Sequence, residues 1–227
     1  KNSPQPAIVA RFVLQGVNQD CSIYTFKATP ESTGIKASAR SNPNPSSFPI
    51  TLCQASMQAD WSKLTLSLKN GAARIWVEDG NGPAVTFSGP SAIGNKNKNE
   101  VVMITLGDTG CRGSKDQAHC SSGDADWPFY NIIQAAVSNY DPDFVIHTGD
   151  YRYYQEGHSP DTWFYWYQDF FAPAQKLLLT APWAFSRGNH EQCHNSWAPY
   201  WYGAGWFYFF EPTASLETAR CPEKPQE

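Results

Sequence analysis

Three apolar runs, Val101 to Leu106, Phe144 to Ile146 and Trp183 to Phe185, are each followed by a short polar signature. The signatures are Gly107-Asp108-Thr109-Gly110, Gly149-Asp150-Tyr151-Arg152-Tyr153 and Gly188-Asn189-His190-Glu191. Each reads as the turn beyond the carboxyl end of a buried strand, and the segments between them are long enough for crossover helices. That spacing predicts repeated βαβ units, whose parallel strands deliver their loops to one sheet edge, where ligands of open α/β sheets bind. One such helix is predicted from Phe129, Ile132, Ile133, Ala136, Val137 and Tyr140, which recur at three- and four-residue intervals. Asp126 caps its start and Asp141-Pro142 stops it. A second apolar helix spans Asp161 to Leu179, with Pro173 breaking or kinking it. Its Trp163, Phe164, Trp166, Tyr167, Phe170 and Phe171 read as core packing in preference to a sugar- or base-gripping face. The aromatic stretch Trp197 to Phe210 reads as a wall over the site that touches the bound ligand, or as packing or oligomer contact.

The first hundred residues follow a different period. Ile8 to Leu14, Ser22 to Lys27, Phe48 to Cys53, Lys63 to Leu68 and Ala73 to Val77 are short strand-like runs. Leu64, Leu66 and Leu68 alternate with polar residues, as on a half-buried strand. Ser41 to Ser47, with two prolines, is a break, and Gly89 to Glu100 is the expected linker. The fold class is therefore an N-terminal β-sandwich-like domain, residues 1–98, followed by an α/β domain over 99–227.

Composition narrows the class. With 41% hydrophobic and 17% charged residues, the chain can bury a core and is not dominated by disorder. A net charge of −4 argues against nucleic acid as partner, and no apolar run is long enough for a membrane span. Six cysteines without a Cys-x-x-Cys spacing point to disulfides and a secreted or periplasmic protein. Fifteen connectivities are open; proximity favours Cys21 with Cys53, Cys111 with Cys120, and Cys193 with Cys221. A zinc site using His119 and Cys120 matches no common spacing. The start at Lys1 fits a processed product.

If the three loops converge, so do Asp108, Asp150, Tyr153, Asn189 and His190. Two aspartates side by side repel one another, and a bound cation is the plainest way to keep both ionised. His147, within its apolar run, reads as a core histidine. Arg152 and Arg187 are nearby cations that could orient an anion, although surface pairing is the simpler role for each, and Glu191 is expected to orient His190.

The ordered set Gly-Asp-x-Gly, Gly-Asp-x-x-Tyr and Gly-Asn-His-Glu resembles the calcineurin-like metallophosphoesterase superfamily, and is most similar to its purple acid phosphatase branch. The resemblance covers Val101 onward. It implies that Asp108 and Tyr153 bind one metal, Asp150 bridges two, Asn189 binds the second, and His190 contacts phosphate near the leaving group. A tyrosine ligand implies iron at its site, paired with iron, zinc or manganese. The implied function is a secreted phosphatase hydrolysing phosphomonoesters with water activated by two metals; the implied fold is the front part of a metallophosphoesterase αβ sandwich. The family completes its cage with three histidines from two later motifs. Here only His194 follows His190, so the expectation is a front part, whose remainder is a C-terminal fragment on a second chain or is missing, or else a degenerate site. The alternative is a non-catalytic protein using the same scaffold for binding or assembly.

Overall fold

A computed structural model describes residues 7–27, 34–58, 73–77, 83–87, 101–111, 127–140, 142–153, 161–191 and 203–211. The chain divides into two units, one formed by Lys1–Arg40 with Ile50–Val101 and the other by Ser41–Pro49 with Val102–Glu227.

In the first unit, β1 (Ala7–Gln15) pairs antiparallel with β5 (Ile50–Gln58), and β5 pairs with the short β4 (Ser38–Ala39). A second sheet runs β3-β2-β6-β7, with β2 at Tyr24–Lys27, β3 at Ile35–Lys36, β6 at Ala73–Val77 and β7 at Pro83–Phe87. Pro83 opens an edge strand, where its missing N–H breaks no ladder. The expected strand from Ser22 starts later, because Cys21–Ile23 is a 3-10 turn in which Asp20 accepts the Ser22 N–H at 2.8 Å. The expected strands otherwise agree with β1, β2, β5 and β6, while Lys63 to Leu68 and the 89–100 linker lie outside the described residues.

Cys21 and Cys53 form a disulfide, and with Ala37 they are buried against Phe12, Leu14 and Tyr24. The bridge closes a sequence separation of 32, which limits the unfolded chain by about 3–4 kcal/mol. The double variant Cys21→Ala/Cys53→Ala is therefore expected to lose about that much unfolding free energy in urea. Unfolding no easier than in the parent would refute the estimate.

Phe48 does not start β5. Asn44 O accepts the N–H groups of Ser47 and Phe48, and Asn42 Nδ2 donates to Phe48 O at 2.7 Å, so the prolines and asparagines of this stretch close a turn instead. Within the second unit Phe48 is buried against Tyr208 and Phe209, and Ser47 O accepts the Trp163 N–H at 2.9 Å.

The second unit is built on a parallel sheet of order β10-β9-β8, with β8 at Met103–Leu106, β9 at Phe144–His147 and β10 at Trp183–Phe185. Register places Leu106, His147 and Phe185 side by side at the carboxyl ends. Helix α1 (Phe129–Tyr140) connects β8 to β9, and α2 (163–178) connects β9 to β10. The parallel strands and intervening helices are those that the apolar spacing predicts. The apolar face of α1 is narrower than expected: Phe129, Ile133 and Ala136 are buried, whereas Ile132 and Tyr140 are exposed. The reason is geometric, since α1 packs one flank on α2 and leaves the other to solvent.

Helix α2 does not break at Pro173. It runs through Trp163–Trp166, widens into a π-helical turn at Tyr167–Phe171, and resumes at Ala172–Leu178. The Ala172 N–H reaches back five residues to Tyr167 O, and this wider turn relieves the clash a proline ring makes with the preceding turn. The consequence is a continuous aromatic face. Trp166 and Phe170 are fully buried, while Phe164 and Tyr167 are exposed. Helix α3 (Ala204–Phe210) is buried along its whole length, with Phe210 stacked on Phe185 at 4.1 Å and Phe209 against Phe171 at 4.8 Å. Over its described part, 203–210, the aromatic tail therefore packs; 197–202 lies outside the described residues.

Candidate active site

The three signatures leave β8, β9 and β10 at the same sheet edge, and main-chain bonds tie them together. Asp108 N–H donates to Gly149 O at 3.1 Å, and Gly110 N–H donates to Asp150 O at 3.2 Å. Gly149 (φ +112°) lies so close to Gly188 that a Cβ on it would come within 2.4 Å of Gly188 backbone. Glycine at both positions thus lets the second and third loops touch. Asp108 and Asp150 both adopt the left-handed region, with φ of 54° and 58°. Aspartate tolerates this better than most residues, and such strain gathers where side chains must be aimed.

The aimed groups meet. The Tyr153 hydroxyl lies 2.5 Å from Asp108 Oδ1, to which it donates, and 3.4 Å from Asp150 Oδ2. Asp150 and Tyr153 are buried, while Asp108 is exposed. His190 N–H donates to Asp150 Oδ1 at 3.1 Å, and the His190 ring packs edge-on against Tyr153 at 4.5 Å. Asn189 is exposed immediately before His190. The phenolic proton sits between two carboxylates where a cation would satisfy all three oxygens, so this donor set fits a hard or borderline metal ion. Among the described residues no cluster of three His, Cys, Asp or Glu is present, so the cage is partial.

Supporting residues hold the loops from beneath. His147 is fully buried, accepts the Gly149 N–H on Nδ1 at 3.2 Å, and lies 2.9 Å from Thr109 Oγ1 through Nε2. That pattern assigns the Nε2–H tautomer; burial pushes the imidazole down to about 3 against the opposing pull of Asp108, so the ring is neutral. His147 is thus a core histidine, as its apolar setting predicts. Thr109 O also accepts the Trp127 Nε1–H at 2.9 Å. Tyr151, which the sequence does not single out, is fully buried, stacks on His147 at 3.9 Å and donates to Ser186 O at 2.9 Å. Burial raises its phenol far above the usual range, so it remains a neutral anchor.

Two expectations change. Arg152 is not a surface residue or a phosphate ligand: it is 1% exposed and turned into the core, 3.5 Å from Asp161 and 3.4 Å from Asp169. Asp161 further accepts from Trp166 Nε1 at 2.6 Å and from the N–H groups of Gly203 and Gly205, which anchors the start of α3. Burial pushes both aspartates up, against the pull of Arg152. Glu191 does not orient the His190 ring either. Its buried carboxylate accepts three main-chain N–H groups, those of Asp150 and Tyr151 at 2.9 Å and Gly188 at 3.0 Å. Arg187 is exposed, with its guanidinium 5.8 Å from the Trp206 ring centre and 5.3 Å from that of Phe207.

Cys111 is disulfide-bonded. Cys120, Cys193, Cys221, His119, His158 and His194 lie outside the described residues, and so do Asp126 and Asp141.

The second unit is thus a parallel α/β sheet that gathers carboxylate-, phenol- and imidazole-bearing loops at the carboxyl edge of its strands. The sequence family of calcineurin-like phosphoesterases matches residues 103–220, about half of the chain, and the protein belongs to that family. No curated protein matches the sequence.

Proposed function

We propose that this protein is a secreted, metal-dependent phosphoesterase of the purple acid phosphatase branch, acting on small phosphomonoesters. The observation that supports it most is the Tyr153 hydroxyl within reach of both Asp108 and Asp150, which accounts for the tyrosine of Gly-Asp-x-x-Tyr. In this reading Asp108 and Tyr153 would hold one ion, iron by the preference of a phenolate, and Asp150 and Asn189 would hold a second, iron, zinc or manganese, with Asp150 serving both. When bound, the pair of cations neutralises phosphate charge and makes water acidic enough to attack near neutral pH. His190, fixed through its N–H on Asp150 and packed against Tyr153, donates a proton or hydrogen bond to the leaving oxygen. The N-terminal sheets form a β-sandwich-like module outside the chemistry. Secretion is supported by the Cys21–Cys53 bridge; no described helix is long and apolar enough to cross a membrane.

The test combines non-reducing intact mass, elemental analysis and hydrolysis of aryl phosphates by the natural protein. Two transition-metal equivalents and turnover are expected. His190→Ala is expected to lower kcat by roughly 10²–10⁴-fold, the usual contribution of a positioned acid, and less for esters with more acidic leaving groups. A folded, metal-free protein without turnover would instead favour the scaffold reading.

A further inference from the structure

Asp150 is held in a conformation that few side chains adopt. Its φ of 58° costs an aspartate something like 1 kcal/mol, and strain of this kind persists only where the surroundings over-determine it. The over-determining group is Glu191, 1% exposed. Oε2 of Glu191 accepts the N–H of Asp150 at 2.9 Å and of Gly188 at 3.0 Å, while Oε1 accepts the N–H of Tyr151 at 2.9 Å. One carboxylate therefore ties the loop after β9, which carries Asp150, to the loop after β10, which carries Asn189. Only an acceptor with lone pairs on both ends can serve three donors from two loops; an amide of the same size would turn an NH₂ group toward N–H.

We propose that Glu191 is the positioning residue of the site: it touches neither substrate nor ion, but fixes the left-handed turn at Asp150 and the spacing between Asp150 and Asn189, and so sets the affinity for the cations. The inference rests on the metal-dependent reading given above.

Glu191→Gln, Glu191→Asp and Glu191→Ala are compared with the parent protein by three measurements: metal-ion affinity by titration into metal-stripped protein, amide hydrogen exchange, and steady-state kinetics on an aryl phosphate. In Glu191→Gln the amides of Asp150, Tyr151 and Gly188 are expected to lose protection. Metal affinity is expected to fall by roughly 10–100-fold, as for other residues that orient ligands, and kcat at saturating metal to fall with KM little changed. Glu191→Asp, one methylene shorter, retains charge without the full reach and is expected to fall between Glu191→Gln and the parent. Unchanged exchange at those three amides, or metal affinity within twofold of the parent, overturns the inference. Loss of unfolding stability with unaltered metal affinity also overturns it, since that is what a merely structural carboxylate would give. If the parent itself binds no metal, the proposed function fails, and the exchange data alone then decide whether Glu191 holds the turn.

Discussion

Asp150→Asn is expected to leave the fold in place and to remove metal binding together with hydrolysis. Asparagine tolerates the left-handed turn as aspartate does, and its side-chain oxygen can still accept the His190 N–H. What it lacks is the charge that a shared cation ligand supplies and that holds the Tyr153 hydroxyl in place beside Asp108. Because residues that only orient ligands cost about 10–100-fold, losing Asp150, which the proposed function makes a ligand of both ions, should exceed roughly 100-fold in metal affinity and in kcat/KM. Asp150→Ala should do the same and in addition lose about 1 kcal/mol of stability, since alanine at positive φ has no compensating bond. Elemental analysis after dialysis and a urea unfolding curve separate the two effects. Full metal content in Asp150→Asn would remove Asp150 from the ligand set, and the proposed function with it.

The second large effect concerns stability. Arg152→Met is expected to destabilise the second unit by about 3–5 kcal/mol near neutral pH, because it strands the carboxylates of Asp161 and Asp169 in a buried setting. The penalty has a definite pH dependence. Burial already raises both aspartates, and Arg152 is the chief influence holding them down. Without it their folded values rise further above the unfolded value near 4, so the folded state binds more protons than the unfolded one across that interval. Stability of the variant therefore increases as pH falls through the folded values and levels off below the unfolded one. Relative to the parent, the deficit is largest above the folded values and shrinks on acidification. Urea curves at about pH 7.5 and about pH 4.5 measure this, and a deficit that is constant or grows in acid contradicts the assignment. Arg152→Met/Asp161→Asn/Asp169→Asn should recover part of the loss, since neutral amides bury at lower cost than stranded charges.

Why these two positions differed in legibility follows from what each depends on. Asp108, Asp150, Tyr153, Asn189 and His190 stand in short motifs directly after apolar runs, so local pattern was enough to name them. Arg152 sits inside the same motif, and nothing local separates it from a surface cation; its partners Asp161 and Asp169 lie just before α2 and within it. Glu191 likewise carries no signal of its own, since its three partners are main-chain N–H groups, which have no letter in a sequence. Pro173 reads as a break or kink because a proline disfavours an α-helix, and only the widened turn at Tyr167–Phe171 shows how the helix continues.

By itself the sequence determined the parallel strands, the helices between them and the residue types offered at the strand ends, because periodicity and Gly-Asp or Gly-Asn turns are encoded by neighbours in the chain. Tertiary structure alone decided which charges point inward, which face of α1 is covered, and how three loops are fastened edge to edge. Those outcomes depend on contacts between residues far apart in the chain and on main-chain hydrogen bonds, and neither leaves a local imprint on residue identity.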